Sequence, residues 1–153
     1  MPELKIGKKA QDFELLDSNF SKTKLSDFRG KKIVLYFYPK DDTSGCTTEA
    51  CEFTEVLNVF VKKGAVVIGV STDDVKSHQK FIEKYKLKIN LLSDADKKVV
   101  HQYGVYREKS MYGKKYMGIV RTTFLIDEKG IIQKIWPKVN PAGHAKEVLA
   151  ELS

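Results

Sequence analysis

Apolar runs and amphipathic periods alternate along the chain, separated by turn-forming residues. Ile33-Val34-Leu35-Tyr36-Phe37-Tyr38 is rich in β-branched and aromatic residues, as a buried strand should be. Ala65-Val66-Val67-Ile68-Gly69-Val70-Ser71 is nearly pure apolar, which predicts a strand in the middle of a sheet covered on both faces. Behind the first run, Phe53, Leu57, Phe60 and Val61 recur at spacings of three and four, so they can share one buried helix face. Behind the second, Ser71-Thr72-Asp73-Asp74 offers N-cap candidates for a helix carrying Val75, Phe81, Ile82 and Tyr85. Asn90 to Asp94 reads as a short strand, followed by a helix with Val99, Val100 and Tyr103 inward.

The two ends of the chain carry hairpin signals. Phe13 to Asp17, the turn pair Ser18-Asn19, and Phe20 to Leu25 read as an N-terminal β-hairpin, with a helical turn or loop at Ser26 to Gly30. Gly104 to Met117 has no clear period and reads as a loop or hairpin insertion. Thr122 to Ile126 and Ile131 to Trp136 flank Asp127-Glu128-Lys129-Gly130 as a hairpin with glycine in the turn. A last helix is expected from about Pro141 to Leu152, with proline in its first turn and Ala145, Val148, Leu149 and Leu152 toward the sheet. This order predicts an α/β fold with a mixed central β-sheet, helices on both faces and an N-terminal β-hairpin. Residues 1–153 suit a single domain.

The net charge of +7 raises the question of nucleic acid. Nearly all of the excess is lysine, spread along the whole length; Arg29, Arg107 and Arg121 are the only arginines. No zinc-finger or RNA-binding signature accompanies it, so a solvated lysine-rich surface is expected and no nucleic-acid partner. No apolar run is long enough to cross a bilayer, and Met1 to Lys5 lacks a signal-peptide core, so no membrane partner and a cytoplasmic location are expected. In that compartment two cysteines are catalytic, redox-sensing or inert sooner than a structural staple.

Both cysteines fall in Pro39-Lys40-Asp41-Asp42-Thr43-Ser44-Gly45-Cys46-Thr47-Thr48-Glu49-Ala50-Cys51, between the first buried strand and its helix. Turn and cap residues precede Cys46, which places it at or near the first helical turn. There, unpaired N–H groups and the positive dipole end favour an anion, and a thiolate is an anion. The pattern points to thiol redox chemistry. Taken alone, Pro39 ends a strand, Thr43 is an N-cap, Glu49 answers the helix dipole and Arg121 is a charge at a strand edge. In an intact helix, residues five apart lie about 8–9 Å apart at Cα, whereas a disulfide needs less than about 7 Å. Cys46 and Cys51 can therefore bond only if the first turns of that helix unwind. Four residues stand between them, not the two of a thioredoxin dithiol. His78, His101 and His144 make no pair at metal-ligand spacing and read as surface or structural residues.

Pro39, Thr43 and Cys46 match the peroxiredoxin signature of a proline, three residues, Thr or Ser, two residues and a cysteine. Met111-Tyr112-Gly113-Lys114-Lys115-Tyr116, Arg121 to Asp127 and Trp136-Pro137-Lys138-Val139 resemble the bacterioferritin comigratory protein, or peroxiredoxin Q, subgroup across essentially the whole chain. The resemblance implies a thioredoxin-like fold and a peroxidase of hydrogen peroxide and organic hydroperoxides, with no cofactor, metal or haem. It implies that Cys46 attacks the peroxide, that Cys51 resolves the sulfenic acid, and that a thioredoxin-type protein reduces the disulfide. Thr43 would sit beside the sulfur, Arg121 would stabilise thiolate and peroxide oxygens, Pro39 would limit water, and Glu49 would orient Arg121. A monomer is expected, since one chain supplies both cysteines. A peroxide-responsive sensor or relay, disulfide exchange on client proteins, and a non-catalytic basic binding module are the alternatives.

Overall fold

The structure is a computed structural model and describes residues 4–152. Residues 1–3, part of the stretch read as lacking a signal peptide, and residue 153 lie outside the described residues. The chain runs through β1 (Glu14–Asp17), β2 (Lys22–Lys24), a 3-10 turn (Leu25–Phe28), β3 (Lys32–Phe37), α1 (Ser44–Glu55) and α2 (Leu57–Lys62). It continues through β4 (Ala65–Ser71), α3 (Val75–Tyr85), β5 (Asn90–Ser93), α4 (Lys98–Gln102), β6 (Tyr106–Met111) and β7 (Lys114–Ile119). β8 (Thr122–Ile126), β9 (Ile132–Trp136) and α5 (His144–Ala150) complete it. Among the described residues no helix is long and apolar enough to cross a membrane.

The apolar runs form the centre of a mixed sheet ordered β2-β1-β5-β4-β3-β8-β9. β3 pairs in parallel with β4, from Lys32 opposite Ala65 to Phe37 opposite Val70. β8 runs antiparallel on the other edge of β3, ending with Thr122 opposite Phe37. Alternation along β3 divides its side chains between two cores. Val34 and Tyr36 pack with Phe53, Phe60, Phe81 and Val148 under α1, α2, α3 and α5. Ile33, Leu35 and Phe37 pack on the opposite face with Val99, Val100 and Tyr103 of α4 and its flank. The α/β expectation, with a mixed sheet, helices on both faces and an N-terminal hairpin, holds.

Two local expectations need correction. The helix behind β3 is interrupted at Val56 (φ −105°, ψ 12°), and the period restarts in α2. Phe53 and Phe60 remain buried, but Val61 is turned outward and is 59% exposed. The last helix begins after Gly143, whose φ of +83° is not helical, so Pro141 precedes the helix instead of opening it. The stretch read as a loop or hairpin insertion takes the hairpin form, β6 against β7, and extends to Ile119.

The stack of Tyr36 on Phe53 seats α1 on the sheet, with ring centroids 4.9 Å apart. Gly69 on β4 makes room for it. A Cβ there would stand 2.8 Å from Tyr36 Cζ and 2.9 Å from both Tyr36 Oη and Leu91 Cδ2. Gly69→Ala is therefore expected to displace the ring and destabilise the fold by about 1–3 kcal/mol. Urea unfolding measures this, and an alanine without cost would show that Tyr36 is free to move aside.

Candidate active site

The end of β3 delivers the chain to the site. Tyr38 N–H donates to the Val70 carbonyl (3.1 Å), and half-buried Pro39, which has no N–H to donate, follows. α1 then opens with Thr43 at the N-cap position, extended at φ −96° and ψ 158°. The Thr47 amide makes the helical bond back to the Thr43 carbonyl (2.8 Å). The amides before it, that of Cys46 included, precede the first such bond and point toward the helix start. Cys46 sits in this first turn with its side chain 1% exposed, in the same apolar cluster as Ala50, Phe53 and Trp136.

Arg121 reaches this sulfur from the chain just before β8. Its Nη2 donates to Cys46 Sγ at 3.1 Å, and its Nη1 donates to Glu49 Oε1 at 3.2 Å. Glu49 lies one helical turn after Cys46, so the two side chains share a face and one guanidinium serves both. Burial pushes the Glu49 carboxyl up to about 7, against the pull of the Arg121 charge and hydrogen bond, which favour the carboxylate. Its second oxygen, Oε2, is buried with no hydrogen-bond partner among the described residues.

Thr43 is at the cap position without capping: its hydroxyl donates to the Lys40 carbonyl (2.9 Å) instead of serving an N–H of α1. Cys51 lies further along the same unbroken helix, half-buried, and both cysteines are free thiols. Burial pushes the Cys51 thiol up. The structure thus brings Cys46, Arg121 and Glu49 into direct contact, and places Thr43, Pro39 and Cys51 on the loop and helix around them.

Sequence reasoning missed two neighbours of this cluster. Gly45 stands where a Cβ would lie 2.7 Å from Arg121 Nη2 and 3.2 Å from Pro141 Cγ. A side chain there would occupy the path of the guanidinium. Lys109 of β6 is half-buried, donates to the Ile119 carbonyl (2.8 Å), and feels the charges of both Arg121 and Cys46. Burial lowers its basicity most, with repulsion from Arg121 adding to it. Gly45 reads as a turn glycine, and Lys109 is one of many lysines, so neither carries a local signal.

His101 is exposed, whereas His78 and His144 are buried and hydrogen-bonded. Asp41, Asp73 and His78 place potential ligand atoms within 4.8 Å of one another. Those atoms are already engaged: Asp41 accepts from Tyr38 and Ser77 and pairs with His78, and Asp73 accepts from Ser71 and the Asp41 amide. The arrangement is a hydrogen-bond network before it is a cation site.

The sequence profile of the AhpC/TSA family matches residues 6–135. The chain belongs to the AhpC/TSA family. Within it, the chain is 48% identical over 149 residues to peroxiredoxin Bcp of Bacillus subtilis, covering 97% of this chain and 95% of that one. A cysteine-mutant structure of Xylella fastidiosa PrxQ superposes with a TM-score of 0.93 at 39% identity, covering 99% of this chain and 97% of the other. A structure of Xanthomonas campestris bacterioferritin comigratory protein, concerned with its alkyl peroxide reduction activity, superposes at 0.87 with 44% identity, covering 92% and 89%. The mixed sheet with its N-terminal hairpin is the thioredoxin-like fold of these peroxiredoxins.

For this AhpC/TSA family member, Gly45→Ala is expected to push Arg121 off Cys46 while leaving the helix intact. The rate constant of Cys46 with hydrogen peroxide should fall by about 100-fold, the usual effect of losing one aimed donor. An unchanged rate would mean that the Arg121 contact does no chemical work. Glu49 supplies a second test. Because its native carboxyl holds a proton up to about 7 and the unfolded chain releases it near 4.5, wild-type stability is eroded as pH rises through that window. Glu49→Gln should gain on wild type by on the order of 3 kcal/mol between those limits and stay level above them. Urea midpoints at pH 5 to 8 measure the difference, and a constant offset would show that Glu49 titrates as an ordinary glutamate.

Proposed function

We propose that this chain is a thiol peroxidase that reduces hydrogen peroxide and organic hydroperoxides through Cys46, without metal or haem. The observation that carries the reading is the 3.1 Å approach of Arg121 Nη2 to Cys46 Sγ, with Nη1 tied to Glu49. A peroxide is a weak electrophile, so the site must act on the leaving oxygen as well as on the sulfur. The Cys46 thiolate attacks the terminal oxygen; an S–O bond forms, the O–O bond breaks, and the departing oxygen takes a proton and leaves as water or alcohol. A guanidinium already aimed at the sulfur stabilises the thiolate and the charge building on the peroxide oxygens. Thr43 has committed its hydrogen to the Lys40 carbonyl, so its lone pairs are available to the peroxide hydrogen. Pro39 adds an apolar wall that limits water.

Cys51 then resolves the sulfenic acid. Its sulfur attacks Sγ of Cys46, an S–S bond forms, the S–O bond breaks and water leaves. Because both residues lie in intact α1, this step requires the first turns to unwind. A thioredoxin-type dithiol returns both cysteines to thiols by exchange. We read 1–153 as one domain acting as a monomer, since both cysteines belong to one helix, and in the cytoplasm, where such thiols are kept reduced. The spread of lysines along the chain supports a solvated surface over a nucleic-acid site.

Rapid mixing with hydrogen peroxide followed by intact mass tests this reading. Wild type should lose two hydrogens quickly, Cys51→Ser should stop at the sulfenic acid, and Cys46→Ser should show no fast reaction. A wild type no faster than a free thiol would overturn the peroxidase assignment. Fast oxidation of Cys46 with Cys51 untouched would retain the peroxidase and assign resolution to an external thiol.

A further inference from the structure

The loop before Cys46 is fastened by a buried pair that the chemistry above leaves unused. His78 of α3 is 0% exposed and both of its ring nitrogens face acceptors. Nε2 is 2.9 Å from the Leu92 carbonyl, which can only accept, so Nε2 carries a proton. Nδ1 is 2.7 Å from Asp41 Oδ2. The same oxygen accepts from Ser77 Oγ at 2.8 Å, and Oδ1 accepts from the Tyr38 hydroxyl. A carboxylate receiving these donors beside a ring with both nitrogens protonated satisfies every one of these contacts. Burial disfavours the charge on His78, but the hydrogen bond and charge of Asp41 outweigh it and raise its basicity above the ordinary 6.5.

The next residue shows what the pair restrains. Asp42 has φ +58°, a left-handed conformation uncommon outside glycine, though aspartate tolerates it better than most residues. Lys84 Nζ and Tyr85 Oη of α3 donate to its carboxylate at 2.8 and 2.6 Å, both at the surface. Thr43 does not cap α1, so the geometry of this loop, and no side-chain cap, fixes where the helix begins.

We propose that His78 and Asp41 form a positioning pair for α1, clamping the residues before Cys46 to α3 and β5 while the helix is wound and releasing them when His78 loses its proton. This rests on the reading that Cys46 and Cys51 meet by unwinding α1. The clamp then keeps the loop in place at Asp41, so that unwinding starts at Ser44, and its strength sets how often the first turns open. The groups facing His78 are Asp41 from the loop, Asp73 from the turn after β4, Tyr38 beyond β3, and the Leu92 carbonyl of β5. The sign follows from the raised basicity: the restraint is complete below the ordinary histidine value and is lost as pH rises through the higher one.

Hydrogen exchange of the reduced protein tests this without peroxide, so its failure is separate from failure of the peroxidase reading. The protection factors of the Thr47 to Cys51 amides are measured from pH 6 to 9 in wild type and Asp41→Asn, whose amide can still donate to a neutral His78. Wild-type protection should fall about tenfold across the pH range in which NMR shows His78 losing its proton. Asp41→Asn should have the lower protection throughout, with no pH step. A variant protected like wild type with the same step, or a wild-type His78 that titrates at or below 6.5, would overturn the proposal. The wild-type NMR titration decides the matter should the variant fail to fold.

Discussion

One guanidinium divided between a sulfur and a buried carboxylate is the interaction on which the site depends. Arg121 and Cys46 are 75 residues apart, and what joins them is strand register. β8 pairs with β3 so that Thr122 faces Phe37, the last residue of β3. Arg121, one residue before Thr122, must then stand at the end of the sheet from which the chain turns into α1. The Arg121 carbonyl is held in turn by the Val139 amide at 3.0 Å. A one-residue slip of β8 would send Arg121 to the other face. The core packing that fixes the register is therefore also what aims the cation.

Under the proposed mechanism, α1 meets two opposed demands. To hold Cys46 against Arg121 it must be wound from its first turn; to let Cys46 reach Cys51 it must unwind. The distribution of packing along it suits both. Ala50 and Phe53 are completely buried, and Phe53 is stacked on Tyr36, so the second half of α1 is anchored in the core. The first turn has no side-chain cap, which leaves its stability to Cys46, Glu49 and the loop before it. Opening that turn exposes the buried sulfur of Cys46, whereas opening the helix from Ala50 on would dismantle the aromatic core.

Much of this is legible in the sequence, for reasons that differ by element. β3 and β4 announce themselves because a strand covered on both faces needs almost no polar residues. The hairpins and the capped start of α3, where Asp74 accepts from the Ser77 amide, follow from local turn and cap chemistry. Val61 and Pro141 mislead because counting a period assumes an uninterrupted helix, and Val56 and Gly143 break the phase. The placement of Cys46 in a first helical turn is local and readable. Its contact with Arg121 is not, because a strand-edge arginine gains a partner only through the pairing of β8 with β3, which the family resemblance supplies. Gly45, Lys109 and the His78–Asp41 pair carry no such pattern; their partners come from elsewhere in the chain, and a glycine's function as empty space leaves no residue-type signal.

Glu49 shows why such a site is not built for stability alone. A carboxylate with one oxygen unpartnered in the interior is costly, and an apolar residue of similar size would pack there more cheaply. Arg121 explains its presence. A guanidinium offered only a sulfur could turn about its last bonds and present any of its N–H groups. With Nη1 fixed on Glu49, the planar fork leaves Nη2 directed at Cys46. Below about pH 7 Glu49 is neutral, so the positive charge of Arg121 is uncompensated except by an anion at the sulfur. Above it, Glu49 shares that charge and holds the arginine more firmly. Orientation and field strength thus trade against each other through a single carboxyl group placed one helical turn from the thiol.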